Sequence, residues 1–233
     1  MTQNRWFSVT ALLAGLLTAA SAGPKDDITA AANKLAAKPN YSWQTTVVVP
    51  EGSQFRPGPT EGKTEKDGFT LVAMSFGDNK TNIAIKGDKA AVTNQEGTWE
   101  LASDLENAEG PARFLALIAR NLRTPAVQAA ELASFSKDLK KEGDVYSSDL
   151  TEDGAKTMLR FRRGGDGPAV RNATGSVKFW LKDGELVKYE FKVRGTINFN
   201  NNDVDVDRAT TVEIKDVGKT KVDVPEGAKK RLS

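Results

Sequence analysis

The sequence predicts an α+β fold, antiparallel strands with helices covering one face of the sheet, and three observations carry that prediction. From Gly175 to Gly195 the chain reads GSVKFWLKDGELVKYEFKVRG, with Val177, Phe179, Leu181, Val187, Tyr189, Phe191 and Val193 at odd positions and mostly charged residues at even ones. A period of two sustained across Lys-Asp-Gly-Glu marks two antiparallel strands with one dry and one wet face. Between 69 and 101, short apolar runs are separated by Gly77-Asp78, Gly87-Asp88 and Glu96-Gly97, which describes a meander and not a βαβ repeat. From residue 111 the period becomes helical, and two amphipathic segments follow each other before strands resume.

The N-terminus is read as a secretory signal peptide over residues 1–22. Arg5 supplies a basic n-region, WFSVTALLAGLLTAA is apolar or small throughout, and Ala20-Ser21-Ala22 forms an A-x-A cleavage site. The apolar run is short for a bilayer span, and no later stretch approaches that length. The expected mature chain, 23–233, is an exported, soluble, periplasmic or extracellular protein of one domain with no transmembrane anchor. It contains no Cys, so neither a disulfide nor a lipid-attachable cysteine is expected, and core burial alone must hold it together. A formal net charge of +2, with both signs spread evenly, gives no basic excess for nucleic acid or an anionic membrane surface.

Taken in order, Pro24 stands where a first helical residue belongs, with Asp26 and Asp27 complementing the helix N-terminus. Ile28, Ala31, Ala32 and Leu35 form one stripe, and Lys38-Pro39-Asn40 ends the helix. Tyr41 to Pro50 is a strand with Tyr41, Trp43, Thr45, Val47 and Val49 on one face. Glu51 to Gly62 is a Pro/Gly loop, too polar to pack and long enough to be mobile or to act as a lid. Strands are expected at 69–76, 81–86, 89–93 and 98–101. Phe114, Leu117, Ile118 and Leu122 mark one helix. A second runs from Thr124-Pro125 to a stop at Gly143, with Leu132, Phe135 and Leu139 as its stripe. A strand at 144–150, a helix start at Thr151 and a Gly-rich basic loop at 161–172 lead into the ribbon. Strands at 204–217 and 221–224 follow, and the chain finishes in a helical turn or frayed tail.

Two registers stay open for the ribbon. An odd-length loop is expected, because a two-residue Asp183-Gly184 turn would set Phe179 opposite Lys188. Facing Phe179 with Tyr189 sets Lys178 against Glu190. Facing it with Val187 sets Lys178 against Lys188 but suits Gly184 in a three-residue loop.

Residue types exclude several chemistries. Without His or Cys there is no Ser-His-Asp triad, Cys-His pair or His-metal site, and no catalytic, cofactor-binding or metal residue is nominated. Gly58 to Thr64, GPTEGKT, is one residue short of a phosphate-binding loop and lacks its strand-before, helix-after context. Asp203, Asp205 and Asp207 alternate along a strand without an EF-hand's central Gly or terminal Glu, and read as a solvated face. Arg160, Arg162, Arg163 and Arg171 surround a Gly-rich loop that suits either an anion or plain solvent. The sequons at Asn40, Asn79 and Asn172 matter only in a glycosylating host. The remaining candidate is the set of aromatic-rich apolar faces, which line either a closed core or a cavity in a curved sheet.

The order of elements, the Tyr41-Ser42-Trp43 strand, SDLTEDGAKTMLRF, GSVKFWLKDGELVKYEF and TTVEIKDVGKTKVDVPEGAKK together resemble the LolA-like lipoprotein-carrier superfamily. That group includes mycobacterial lipid-binding lipoproteins and periplasmic stress-sensing domains. The resemblance implies a curved antiparallel sheet, a half-open β-barrel, covered on its concave side by helices and holding acyl chains there. It implies a lipid or an acylated lipoprotein as partner, no cofactor, and Trp43, Val47, Phe179, Leu181, Tyr189 and Phe191 as candidate cavity lining. The mycobacterial members are anchored through a Cys that this chain lacks. The carrier proper closes its lid through an Arg contact, to which no Arg is assigned here. The alternatives are an envelope module with a filled barrel and, ranked last, an enzyme using carboxylates gathered by the fold.

Overall fold

The computed structural model describes residues 23–53, 56–76, 79–160, 168–199 and 202–233. The expected signal peptide at 1–22 and most of the expected basic loop at 161–172 lie outside the described residues. In chain order the elements are α1 (Pro24–Ala36), β1 (Asn40–Val48), β2 (Thr60–Glu65), β3 (Phe69–Phe76), β4 (Asn79–Lys86), β5 (Lys89–Thr93) and β6 (Trp99–Leu101). The helices α2 (Pro111–Asn121) and α3 (Pro125–Phe135) follow, then β7 (Lys140–Glu142), β8 (Val145–Asp149) and α4 (Glu152–Leu159). The chain closes with β9 (Val170–Lys182), β10 (Glu185–Phe199), β11 (Asn202–Lys215) and α5 (Glu226–Leu232).

Among the described residues, eleven strands form one antiparallel sheet in the order β6-β5-β4-β3-β2-β1-β11-β10-β9-β8-β7. Its two halves are joined where β1 pairs with β11, Thr45 facing Val212. The ends do not meet, so the barrel is half open. Its edges are β6 and β7, three residues each and charged in part, which gives little backbone for another chain to pair with. α1, α2, α3 and α4 contribute to the large core on the concave face. This is the α+β half-open barrel with helices on its concave side that the resemblance implies.

Local chemistry accounts for the helix starts. Pro opens α1, α2 and α3, and Thr151 caps α4 by accepting the Gly154 N–H at 3.1 Å. Ile28, Ala31, Ala32 and Leu35 are all buried, as their spacing predicts. Thr124 occupies the N-cap position of α3, but its hydroxyl makes no capping bond.

Several boundaries differ from expectation. The end of the expected 51–62 loop is not loop: Thr60 to Gly62 open the strand β2, paired on both sides with Trp43 opposite Gly62 and Gly62 opposite Val72. Its inward residues, Gly62 and Thr64, carry no apolar alternation to announce it. α3 stops at Phe135 and not near Gly143. The Ser136 hydroxyl donates to the Leu132 carbonyl at 2.9 Å, and Gly143, at φ 61°, turns the β7–β8 hairpin instead. In α2 the most buried residues are Ala116 and Ala119, while Phe114, Leu117, Ile118 and Leu122 are only half-buried. Val170 to Asn172 belong to β9, and 221–224 forms no strand. The C-terminus is no frayed tail: α5 seats Ala228 and Leu232 against Ala84, Ala91 and Trp99 in a second small core on the opposite face of the sheet.

The ribbon resolves both open questions. Phe179 faces Tyr189 and Lys178 faces Glu190, so the charge-matched register is adopted. The expected odd-length loop is not used. Asp183 and Gly184, at φ 52° and 71°, make a two-residue turn that pairs Lys182 with Glu185 and Leu181 with Leu186. Positive φ at both central residues is the geometry whose twist matches the flanking strands. An irregularity between Leu186 and Lys188 then restores the alternation before Tyr189. Val187, expected on the dry face, is therefore 37% exposed, and Leu186 is inside at 3%.

Candidate functional site

Inward residues of adjacent strands form rows across the concave face. One row runs Tyr146, Phe179, Tyr189, Val212, Thr45, Thr60 through β8, β9, β10, β11, β1 and β2. A second runs Ile214, Trp43, Gly62, Val72, Ile83, Val92. The first row is solid at its β8–β10 end, where the Phe179 and Tyr189 rings pack at a tilt of 39° with centroids 6.3 Å apart and are both fully buried. Toward β1–β3 the packing opens into a cleft of about 280 Å³ between the sheet and α2, α3 and α4. Its apolar surfaces come from Trp43, Val72, Met74 and Phe191 on the sheet, Ile118 on α2 and Leu122 at the C-cap of that helix. Ile118 and Leu122 are free to face it because α2 approaches the sheet through Ala116 and Ala119.

The six sequence candidates are not all in one place. Trp43, Tyr189 and Phe191 line the cleft, Tyr189 from behind as part of its packed wall. Phe179 lies in the solid part of the row. Leu181 reaches a separate depression of about 330 Å³ beside Asp27, Lys34, Lys141 and Asp144, where both signs of charge meet. Val47 is half-buried on β1 and does not line the cleft.

The cleft is more polar than an acyl-chain site read from aromatic faces would be. Thr45, Thr60, Thr210, Asn121 and Gln128 share its lining, and Gln128 is held by the Tyr189 hydroxyl, which donates to its Oε1 at 2.7 Å. Arg123, Arg160 and Arg208 also line it, and among the described residues no Asp or Glu does. Arg208 is the residue that sequence reasoning passed over. Its Nη2 donates to the Met158 carbonyl at 2.6 Å, while its Nε is shielded from solvent and has no acceptor among the described residues. Burial lowers its pKa, and no carboxylate acts against that. An unsatisfied buried donor costs about 1–3 kcal/mol, more when charged. The signal was present in the strand: Val206, Arg208, Thr210, Val212 and Ile214 share one face, which puts an arginine on an inward register.

The other charged features stay outside. Asp203, Asp205 and Asp207 are exposed on β11, bound across the ribbon by Arg171, Thr196 and Arg194 respectively. Of the basic loop cluster, Arg160 reaches the cleft rim, Arg171 pairs with Asp203, and Arg162 and Arg163 lie outside the described residues. Gly58 to Thr64 leads into β2 and no helix follows it.

Burial raises the phenol pKa of Tyr41 and Tyr146, and raises Tyr189 well above its ordinary value of 10.0, with Tyr41 adding to the last. These are the chain's three tyrosines. Groups held neutral beyond their unfolded pKa contribute stability that is complete below about pH 10 and is lost as pH rises past it. Alkaline titration is expected to give little phenolate absorbance until the fold gives way, then a single step shared with loss of the circular-dichroism signal. Three independent phenolate transitions near pH 10 in the folded protein would contradict this burial.

No protein-family model and no curated protein matches the sequence. Among described residues, no helix is long and apolar enough to cross a membrane. Among solved structures, the chain is similar to Mycobacterium tuberculosis lipoprotein LppX at 10% identity, over 85% of this chain and 96% of that one, with a TM-score of 0.48. It is also similar to LprF from Mycobacterium bovis, at 9% identity, 88% and 96% coverage and a TM-score of 0.47. A DUF1329 family protein from Desulfovibrio piger matches at 10% identity, over 86% of this chain and 93% of that one, with a TM-score of 0.33.

Proposed function

We propose that this protein, exported and acting as one domain over 23–233, is a carrier or binding protein that holds a lipid or lipoprotein acyl chain in the cleft beneath α2. The observation that carries this reading is the half-open concave face itself, where Trp43, Val72, Met74, Phe191, Ile118 and Leu122 surround about 280 Å³ of space. That volume sits at the lower end of the roughly 300–1,000 Å³ of ligand pockets. It suits one chain and not a bulky multi-acyl lipid. Burying ten methylenes contributes about 8 kcal/mol at roughly 0.8 kcal/mol each. Association costs about 4–15 kcal/mol, so the chain alone gives modest affinity and the head-group contact decides whether binding is tight.

The test is saturable, one-to-one binding of a fluorescent fatty acid to the purified mature chain, together with mass spectrometry of co-purifying lipid. Met74→Glu, a charge placed in the cleft wall from a half-buried position, is expected to abolish binding while the protein stays folded. A lipid-free protein that ignores the probe would instead leave the barrel as a filled scaffold, the reading that the solid Tyr146–Phe179–Tyr189 row favours.

A further inference from the structure

We propose that Arg208 is an anion anchor, and that the cleft takes an amphiphile whose head group is a negatively charged oxyanion, a carboxylate or phosphate. This rests on the carrier reading and narrows its cargo. A guanidinium on an inward strand position is costly, and among the described residues no carboxylate pairs with it: Nη2 donates to the Met158 carbonyl and Nε finds no acceptor. Arg208 lines the same cleft as Trp43 and Phe191, so one molecule can meet charge and apolar surface together. Arg123 and Arg160 add positive charge to the lining, and among the described residues no carboxylate shares it. Arginine's planar fork matches a carboxylate or phosphate edge, and the pair is strengthened where water is excluded. Binding turns the guanidinium so that Nε gains the acceptor it lacks.

The experiment compares dodecanoate, dodecyl phosphate, dodecanol and inorganic phosphate on the mature chain, read by displacement of the fluorescent fatty acid and by calorimetry. The two anionic amphiphiles are expected to bind about tenfold or more tightly than dodecanol, the size of one charge-assisted hydrogen bond. Arg208→Gln is expected to erase that ratio by bringing the two anionic amphiphiles down to the affinity of dodecanol, and to keep or raise the thermal midpoint, because it removes a half-buried charge whose Nε is unpartnered among the described residues. Equal binding of all three amphiphiles, or an intact ratio in Arg208→Gln, overturns the anchor and leaves the carrier reading standing. Inorganic phosphate competing as well as dodecyl phosphate makes this a free-anion site and overturns the amphiphile. A variant that loses stability and all ligands alike makes Arg208 a structural strut through Met158. Failure of every amphiphile removes both the anchor and the carrier.

Discussion

A Gly62→Ala variant is expected to be among the most destabilised single substitutions in this protein. A Cβ built at Gly62 would lie 2.0 Å from Cζ2 and 2.1 Å from Cε2 of Trp43, far inside contact distance. Trp43 cannot move aside cheaply. It is 5% exposed, its ring sits 5.9 Å from that of Tyr41, and its strand is paired on both sides. Overpacking of a close-packed core costs typically 1–3 kcal/mol, and a clash against a rigid ring held on a central strand belongs at or above the top of that range. The urea midpoint should fall accordingly. A Gly62→Ala, Trp43→Ala pair should be less destabilised than the sum of its singles, because removing the ring removes the clash. A Gly62→Ala protein with an unchanged midpoint would mean that the ring does not lie over β2.

Phe179→Ala should cost about 3–5 kcal/mol, the range for truncating a fully buried aromatic. Phe179 is fully buried and joins three strands, facing Tyr146 on β8 and Tyr189 on β10. Domains are stable by only about 5–15 kcal/mol in total, so this one change brings the chain near its unfolding threshold. The control is Val204→Ala on β11, where 48% exposure leaves little to lose. Thermal unfolding of the two variants should separate widely, and similar midpoints would mean the Phe179 site collapses around the missing ring. Phe179→Leu adds a functional contrast: the residue is outside the cleft, so a folded variant should keep wild-type affinity for the fatty-acid probe.

The candidate site was legible only in part, for identifiable reasons. Trp43, Tyr189 and Phe191 are legible because apolar residues on one strand face announce a dry surface, and these three border the cleft. Phe179 and Leu181 carry the same signal and lie elsewhere, because period-two patterning reports which face is dry and not where along that face the helices stand off. Arg208 was hidden by its neighbours: the alternating Asp203, Asp205 and Asp207 draw attention to the wet face of the same strand. Gly62 was missed for a related reason. A glycine beneath a ring carries no hydrophobic mark, although the ring defines what the position tolerates.

Helix and strand are legible in the amino-acid pattern wherever one period holds over two turns or several residues: α1, the meander, and the long ribbon of β9 and β10. Those are local patterns, satisfied within a few residues of chain. The register of the ribbon and the outward displacement of Val187 were settled by the pairing across its two-residue turn, where several spacings satisfy the same alternation. The recruitment of polar 60–65 into the sheet and the docking of α5 depend on partners on other elements, and backbone pairing or buried area with those partners outweighs weak local preference. The environment of Arg208 belongs to the same class. An inward register can be read from one strand, but the missing acceptor at its Nε exists only once β11 lies between β1 and β10 under the end of α4.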